Sequence, residues 1–352
     1  MKSVFPIEFN SDYLLHKLSG RSKIYQDHRE LWWSGDLKKW LCTNPELIIK
    51  ILEDQRFVVH SYDFSKLEER FGVSFQHIKK IVSYLPLALE AGHKTARKNM
   101  AQVILGRHQE CLLSFEKSLI SKLNHITSEH DMIDLVQDAI QPSLKSALIL
   151  LSGLQGLEDC ETDAISQIFD AGISLHRRVE INGQIAMLLN KLPSSLSLDE
   201  KYFRISVFAI GYDSLLGSIT SSVIMTLLRN QSTAVHKINW DKDMPYTGIP
   251  DIERVANEEC ELGGVTIGSG QAVRLYLESA GFADHKKSSY ASLFYGHGIH
   301  KCVAMHLSND IWKIFVNEFA KINRHFAISE INVRSNDYVF NVFSNIKLRF
   351  YD

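Results

Sequence analysis

Leu293-Phe294-Tyr295-Gly296-His297-Gly298-Ile299-His300-Lys301-Cys302-Val303-Ala304 is the stretch on which the reading of this chain turns. Two glycines two residues apart are followed by a histidine and a cysteine, then by an apolar run with Leu307, Ile311, Phe315 and Phe319 four residues apart. That spacing puts the four on one face of a helix. The cysteine therefore lies at a loop-to-helix junction, where unpaired backbone N–H groups and the helix dipole favour an anion. A thiolate is such an anion, and this setting lowers a cysteine's pKa. The glycines let the backbone turn tightly and approach a flat partner with no Cβ in the way. A buried structural cysteine is the alternative reading that any single cysteine carries.

The rest of the chain limits what that cysteine can serve. There are 352 residues, 45% hydrophobic and 23% charged, with a formal net charge of −2. The length allows a large core, in one big domain or two. The near-neutral balance gives no electrostatic case for nucleic acid as the main partner. Five cysteines, Cys42, Cys111, Cys160, Cys260 and Cys302, are scattered, with neither metal-finger spacing nor a disulfide framework. The first residues, Met1 to Phe9, lack the charged-then-apolar layout of a signal peptide. No uninterrupted apolar run approaches the ~18 residues of a membrane span. The expected protein is soluble and cytoplasmic.

Working back along the chain, several segments have readable local chemistry. Residues 31–42 read as two short strands around Ser34-Gly35-Asp36. Thr43-Asn44-Pro45-Glu46 then opens a helix with a cap and an early proline, and Leu47, Ile48, Ile51 and Leu52 form its apolar face. In Glu90 to Lys98, His93 and Arg97 share one helical face and suit a carboxylate; a solvated pair is the plainer alternative. Residues 111–180 are helical in pattern and belong to the core. A long helix is expected over about 199–228, with Gly211 in its interior. A glycine there costs roughly 1 kcal/mol against alanine, so close approach of a ligand or a local opening of the helix would be its reason. Gly263-Gly264 between β-type residues reads as a hairpin turn, and residues 338–350 read as a terminal hairpin.

The cysteine stretch resembles the haem-thiolate loop of the cytochrome P450 family, Phe-Gly-x-Gly-x-His-x-Cys-x-Gly, with Tyr295 for the phenylalanine and Ala304 for the closing glycine. Three other segments match in the family's order. His93 and Arg97 are similar to the pair that starts its C helix, and Ala209-Ile210-Gly211-Tyr212-Asp213-Ser214 resembles its I-helix motif. Arg254-Val255-Ala256 with Glu261-Leu262-Gly263-Gly264 resembles its bacterial-type sheet sequence. Two departures stand out. Where the family carries Glu-x-x-Arg the chain has His236-Lys237-Ile238-Asn239, in a segment short enough that one helix is reduced or deleted. Phe282 to Ser289 also replaces a longer meander ending in arginine.

The resemblance implies a single domain over 1–352, mainly α with a small β part, holding one haem b. It implies Cys302 as the iron ligand. His93, Arg97, Arg254 and His300 would hold the cofactor's propionates, with Tyr295 and Gly296 in its loop. Asp213 and Ser214 would manage proton delivery. Ile210, Gly211, Thr247, Gly248, Val342 and Phe343 would line a substrate pocket. The activity implied is monooxygenation of a small organic, secondary-metabolite-like substrate. Electrons would come from a ferredoxin and ferredoxin reductase, because no flavin or iron–sulfur motif is present; Lys94 and Lys98 offer a basic surface for an acidic donor. Two alternatives stay open: haem-thiolate chemistry without dioxygen activation, or a non-catalytic descendant that binds a ligand or a carrier protein.

Overall fold

Asn44 shows how directly local sequence acts at the amino-terminal end. Its side chain accepts from the Glu46 and Leu47 N–H groups at 2.8 and 3.0 Å, and Pro45 fills the first helical position, where no N–H is needed. The helix it opens, α1 (Pro45–Glu53), buries the expected Leu47, Ile48, Ile51 and Leu52. The protein is described by a computed structural model over residues 30–59, 64–89, 92–129, 132–158, 162–169, 173–231, 233–277, 293–334 and 340–351. Within these, α2 (Ser65–Phe71), α3 (Gln76–Val82), α4 (His93–Glu129), α5 (Gln141–Ser152), α6 (Leu175–Lys191), α7 (Leu198–Arg229) and α8 (Met305–Phe319) complete the α-helices.

The strands form small sheets at the periphery. β1 (Leu31–Ser34) and β2 (Lys39–Cys42) are the expected first hairpin. They join β8 (Ala272–Tyr276), β5 (Asp251–Ala256) and β3 (Phe57–Val59) in the order β1-β2-β8-β5-β3. β6 (Cys260–Leu262) and β7 (Val265–Ile267) pair across Gly263 and Gly264, both at positive φ, as a tight hairpin requires. The terminal hairpin is not the one expected over 338–350: its second strand is present, but residues 340–342 carry no strand and the first strand lies upstream. It pairs β9 (His325–Val333) with β10 (Phe343–Tyr351), and β4 (Met132–Asp134) lies on its other edge. The partner of β10 is therefore β9, whose Phe326 and Ile328 are buried and pair with Phe350 and Leu348.

α7 is the central element. It is long and apolar enough by composition to cross a membrane, but most of that stretch is buried inside the protein. It is the core helix of a helical assembly rather than a free apolar rod. Its N-cap is Ser197, whose hydroxyl accepts from the Glu200 N–H at 3.2 Å, and Asp199 and Glu200 complement the helix dipole.

Small residues on α7 let two loops approach its backbone. A Cβ on Gly217 would lie 2.6 Å from the Asn341 carbonyl oxygen, and one on Gly248 would lie 2.4 Å from the Ser214 oxygen. The Gly248 N–H donates to Ser218 Oγ at 2.7 Å, and the Asn341 N–H donates to the Gly248 oxygen at 2.9 Å. Between α7 and β5 the described residues contain no α-helix, only the single turn Val235–Lys237. The segment expected to have a helix reduced or deleted thus holds a single turn among the described residues. Phe282 to Ser289 lie outside the described residues.

The two kinds of glycine on this axis separate experimentally. A Cβ on Gly211 would meet Leu148 side-chain carbons at 3.4 and 3.7 Å, which is ordinary contact. Gly211→Ala is expected to stabilise the ligand-free protein by up to ~1 kcal/mol through helix propensity. Gly248→Ala must push backbone against backbone and is expected to cost roughly 1–3 kcal/mol. Urea unfolding of both variants checks the opposite signs.

Candidate functional site

Gly296 and Gly298 sit at φ +72° and +65°, the left-handed region that glycine adopts without steric cost. The turn they make is closed by the Cys302 N–H donating to the Tyr295 oxygen at 2.7 Å and by Gly296 N–H to the Leu293 oxygen at 2.8 Å. His297 Nε2 lies 2.7 Å from Glu53 Oε1, fastening the loop to the end of α1. Thr247 Oγ1 donates to the Phe294 oxygen at 3.1 Å and so holds the loop from the sheet side.

Cys302 is accessible, although it lies as deep in the protein mass as a core residue. The expected lowering of its pKa is not what the structure has: burial raises it, and a hydrogen bond from the Ala304 backbone and the charge of Arg97 offset only part of that rise. Cys42, Cys111 and Cys260 are buried and free, and Cys160 lies outside the described residues.

Four basic side chains gather beside this loop from three separate elements. Arg97, on the second turn of α4, donates through Nη1 to the Lys301 oxygen. His93, one turn earlier, is buried with its ring edge-on to that of His300, centroids 4.5 Å apart. Arg254 on β5 is also buried. The alternation of the strand sends its neighbour Glu253 the other way, to Lys39 and Arg274. Burial first, then the charges of Arg254 and His93, push the His300 imidazole down to about 4, against a hydrogen bond to the Pro86 backbone. Its Nδ1 is buried with no hydrogen-bond partner among the described residues. Concentrated positive charge, with an unpaired ring nitrogen inside it, is a setting made for a buried anion.

A stripe of half-buried residues runs along α7. This helix is buried on every side through its middle except at Ile210, Gly211, Ser214 and Ser218, which are half-buried and fall on one helical stripe. Ser214 Oγ donates to the Ile210 oxygen at 2.6 Å. Asp213, fully buried, points elsewhere. Its Oδ2 accepts from Ser166 Oγ at 2.5 Å and from Arg334 Nη1 at 2.6 Å. Val342 and Phe343 are buried in the main apolar core, and Gly248 is packed under α7. Sequence reasoning did not find Ser166 or Arg334. They lie 47 and 121 residues from Asp213 and carry no spacing signal.

Solved structures with the same architecture are found over nearly the whole chain. P450BioI, in complex with hexadec-9Z-enoic acid ligated acyl carrier protein, is 16% identical with a TM-score of 0.73, covering 97% of this chain and all of that one. The chain has the cytochrome P450 fold. Epothilone B-bound cytochrome P450epoK is 14% identical with a TM-score of 0.72 and covers both chains completely. The thermophilic cytochrome P450 from Sulfolobus tokodaii is 15% identical with a TM-score of 0.65, covering 94% of this chain and 98% of that one. No protein-family model matches the chain, and no curated protein matches it by sequence.

The P450 fold implies a haem. The residues present fit one: an accessible thiol inside the protein, and a ring of His93, Arg97, Arg254 and His300 with an unpartnered buried nitrogen on His300. Thiolate and cations are the donor set for a metal and for paired carboxylates.

The Asp213–Arg334 pair has a testable asymmetry. Arg334 is about a quarter exposed and Asp213 not at all. Arg334→Leu strands a fully buried carboxylate and is expected to cost roughly 3 kcal/mol or more. Asp213→Asn leaves a cation that can reach water and keeps an acceptor for Ser166, so it is expected to cost less. Denaturant titration of the two variants orders them.

Proposed function

We propose that this protein is a haem-thiolate oxidoreductase of the P450 type, a single haem domain acting on a small organic substrate of secondary-metabolite character. One observation carries the reading: an accessible cysteine deep in the protein, beside four basic side chains drawn from α4, β5 and its own loop. Cys302 would hold the iron of haem b, with Tyr295 and Gly296 shaping the loop. His93, Arg97, Arg254 and His300 would hold its carboxylates. When bound, the haem supplies one-electron chemistry and, with dioxygen, oxidising power.

The chain's own residues have separate tasks. The Ala304 backbone hydrogen bond and the Arg97 charge partly offset the burial that raises the Cys302 pKa, and a bound iron would complete the stabilisation of the thiolate at Sγ. Ile210, Gly211, Ser214 and Ser218 form the open stripe on α7 and would face the substrate. Gly248 packs against the helix at Ser214 and Ser218, and Thr247, Val342 and Phe343 would complete the pocket. Ser214 can hold a proton at Oγ, but that proton is committed to the Ile210 carbonyl. Asp213 is committed to Ser166 and Arg334. A proton passing from Asp213 to Ser214 therefore requires both side chains to leave these partners.

That commitment favours a second reading, in which the same haem site performs a peroxide-driven oxidation or a rearrangement and needs no relay from Asp213. Under the first reading electrons come from a ferredoxin and its reductase, docked near the exposed Lys94 and Lys98. P450BioI is found with an acyl carrier protein and P450epoK with epothilone B. Both a carrier-bound and a free substrate are therefore reasonable for this chain.

The carbon monoxide difference spectrum of the reduced, haem-loaded protein is expected to show the thiolate signature, and Cys302→Ala to abolish it. A wild-type protein that takes up no haem, or binds it without that signature, sinks the proposal. Turnover with ferredoxin, reductase and NADPH, against turnover with peroxide alone, separates the two readings. Asp213→Ala is expected to impair the first condition by ten-fold or more and to spare the second.

A further inference from the structure

The segment that should carry the family's supporting ion pair buries no charge here. His236, Lys237 and Asn239 are exposed, and only Ile238 turns inward. A different connection joins this segment to the cysteine loop. Trp240 lies edge-on to three rings of α8, with centroids 5.9 Å from Trp312, 6.4 Å from Phe315 and 5.9 Å from Phe319. Trp312, fully buried, donates from Nε1 to the Asp241 oxygen at 3.0 Å.

Asn309, on the second turn of α8, completes the link. Its Oδ1 accepts from Tyr295 Oη at 2.7 Å and from the Met244 N–H at 3.2 Å. One amide oxygen thus ties the start of the cysteine loop, the helix that leaves it and the 240–244 segment. The bridge depends on the hydroxyl of Tyr295. The phenylalanine that the resemblance would place there has no donor.

We propose that Asn309 is a positioning residue for Cys302. With the Trp240 ring cluster it takes over the support of the haem-thiolate loop that an ion pair would otherwise provide. The proposal rests on the haem-thiolate reading, and it concerns how the loop is held rather than which reaction the site performs. Tyr295 and Cys302 are joined through the backbone bond that closes the loop, so a shift at Tyr295 is passed to the sulfur. Groups that orient a metal ligand from behind typically change metal affinity by ~10–100-fold when removed.

The test uses the full chain loaded with haem. Asn309→Ala is expected to release haem to excess apomyoglobin roughly ten times faster than wild type. It is also expected to convert part of the ferrous carbon monoxide complex from the thiolate to the neutral-thiol band. Asn309→Asp keeps an acceptor oxygen for both donors and is expected to return both readouts towards wild type. Tyr295→Phe removes one hydroxyl and keeps the ring; it is expected to speed haem release severalfold, and it serves if Asn309→Ala does not fold. The melting temperature of the haem-free variants reports the purely structural share. Wild-type haem release and spectrum in Asn309→Ala, whatever its melting temperature, overturn the proposal. Asn309→Asp behaving like Asn309→Ala overturns it as well. A wild-type protein without the thiolate band removes the haem reading itself, which is a separate result.

Discussion

A helix buried on nearly all sides must satisfy every polar group from within the protein, and α7 imposes that condition on its surroundings. Its hydroxyls turn back on the helix, Thr220 to Leu216 and Thr226 to Ser222 at 2.7 and 2.8 Å, or reach to the loops packed against it, as Ser218 does with Gly248. Its one mid-helix carboxylate draws in Ser166 from 47 residues before it and Arg334 from 121 residues after it. An unpaired charge at that depth would cost several kcal/mol. The hairpin, the loop through Gly248 and the turn Thr162–Phe169 are therefore fixed relative to α7 by the polar groups of the helix as well as by apolar contact. Where this packing gives way, at Ile210, Gly211, Ser214 and Ser218, the open stripe is defined by the density around it.

The basic cluster beside the cysteine loop is built by charge rather than by packing. His93, Arg97, Arg254 and His300 repel one another if all are charged, and the depression of the His300 pKa expresses that repulsion as well as burial. Such a cluster is stable when an anion occupies it. The same logic explains why Glu253 is kept away from the cluster. Its carboxylate is drawn to Lys39 and Arg274 on the other face of the sheet, and those hydrogen bonds outweigh burial and hold its pKa below the usual range.

A buried ion pair at 236–239, where the resemblance would place one, is not needed for that segment to be held. A buried pair roughly repays its own desolvation, whereas aromatic contacts of the kind Trp240 makes are worth about 0.5–1.5 kcal/mol each beyond the area buried. Trp312, Phe315 and Phe319 are buried on α8 in any case. Placing Trp240 against them anchors the shortened segment without moving a charge out of water.

How far the sequence speaks for itself depends on the range of the interaction. The cap at Asn44, the reach of α7, the Gly263-Gly264 turn and the left-handed glycines before Cys302 all arise from chemistry within a few residues. They are legible in the sequence because local conformation decides them. So is the ordered set of motifs naming His93, Arg97, Arg254, His300 and Cys302. The tertiary structure alone decided that Asp213 faces Arg334 and that Asn309 reaches Tyr295 and Met244. It also paired the terminal hairpin with a strand beginning at His325. These contacts join residues remote in sequence, and their geometry is chosen by burial, which no local pattern encodes.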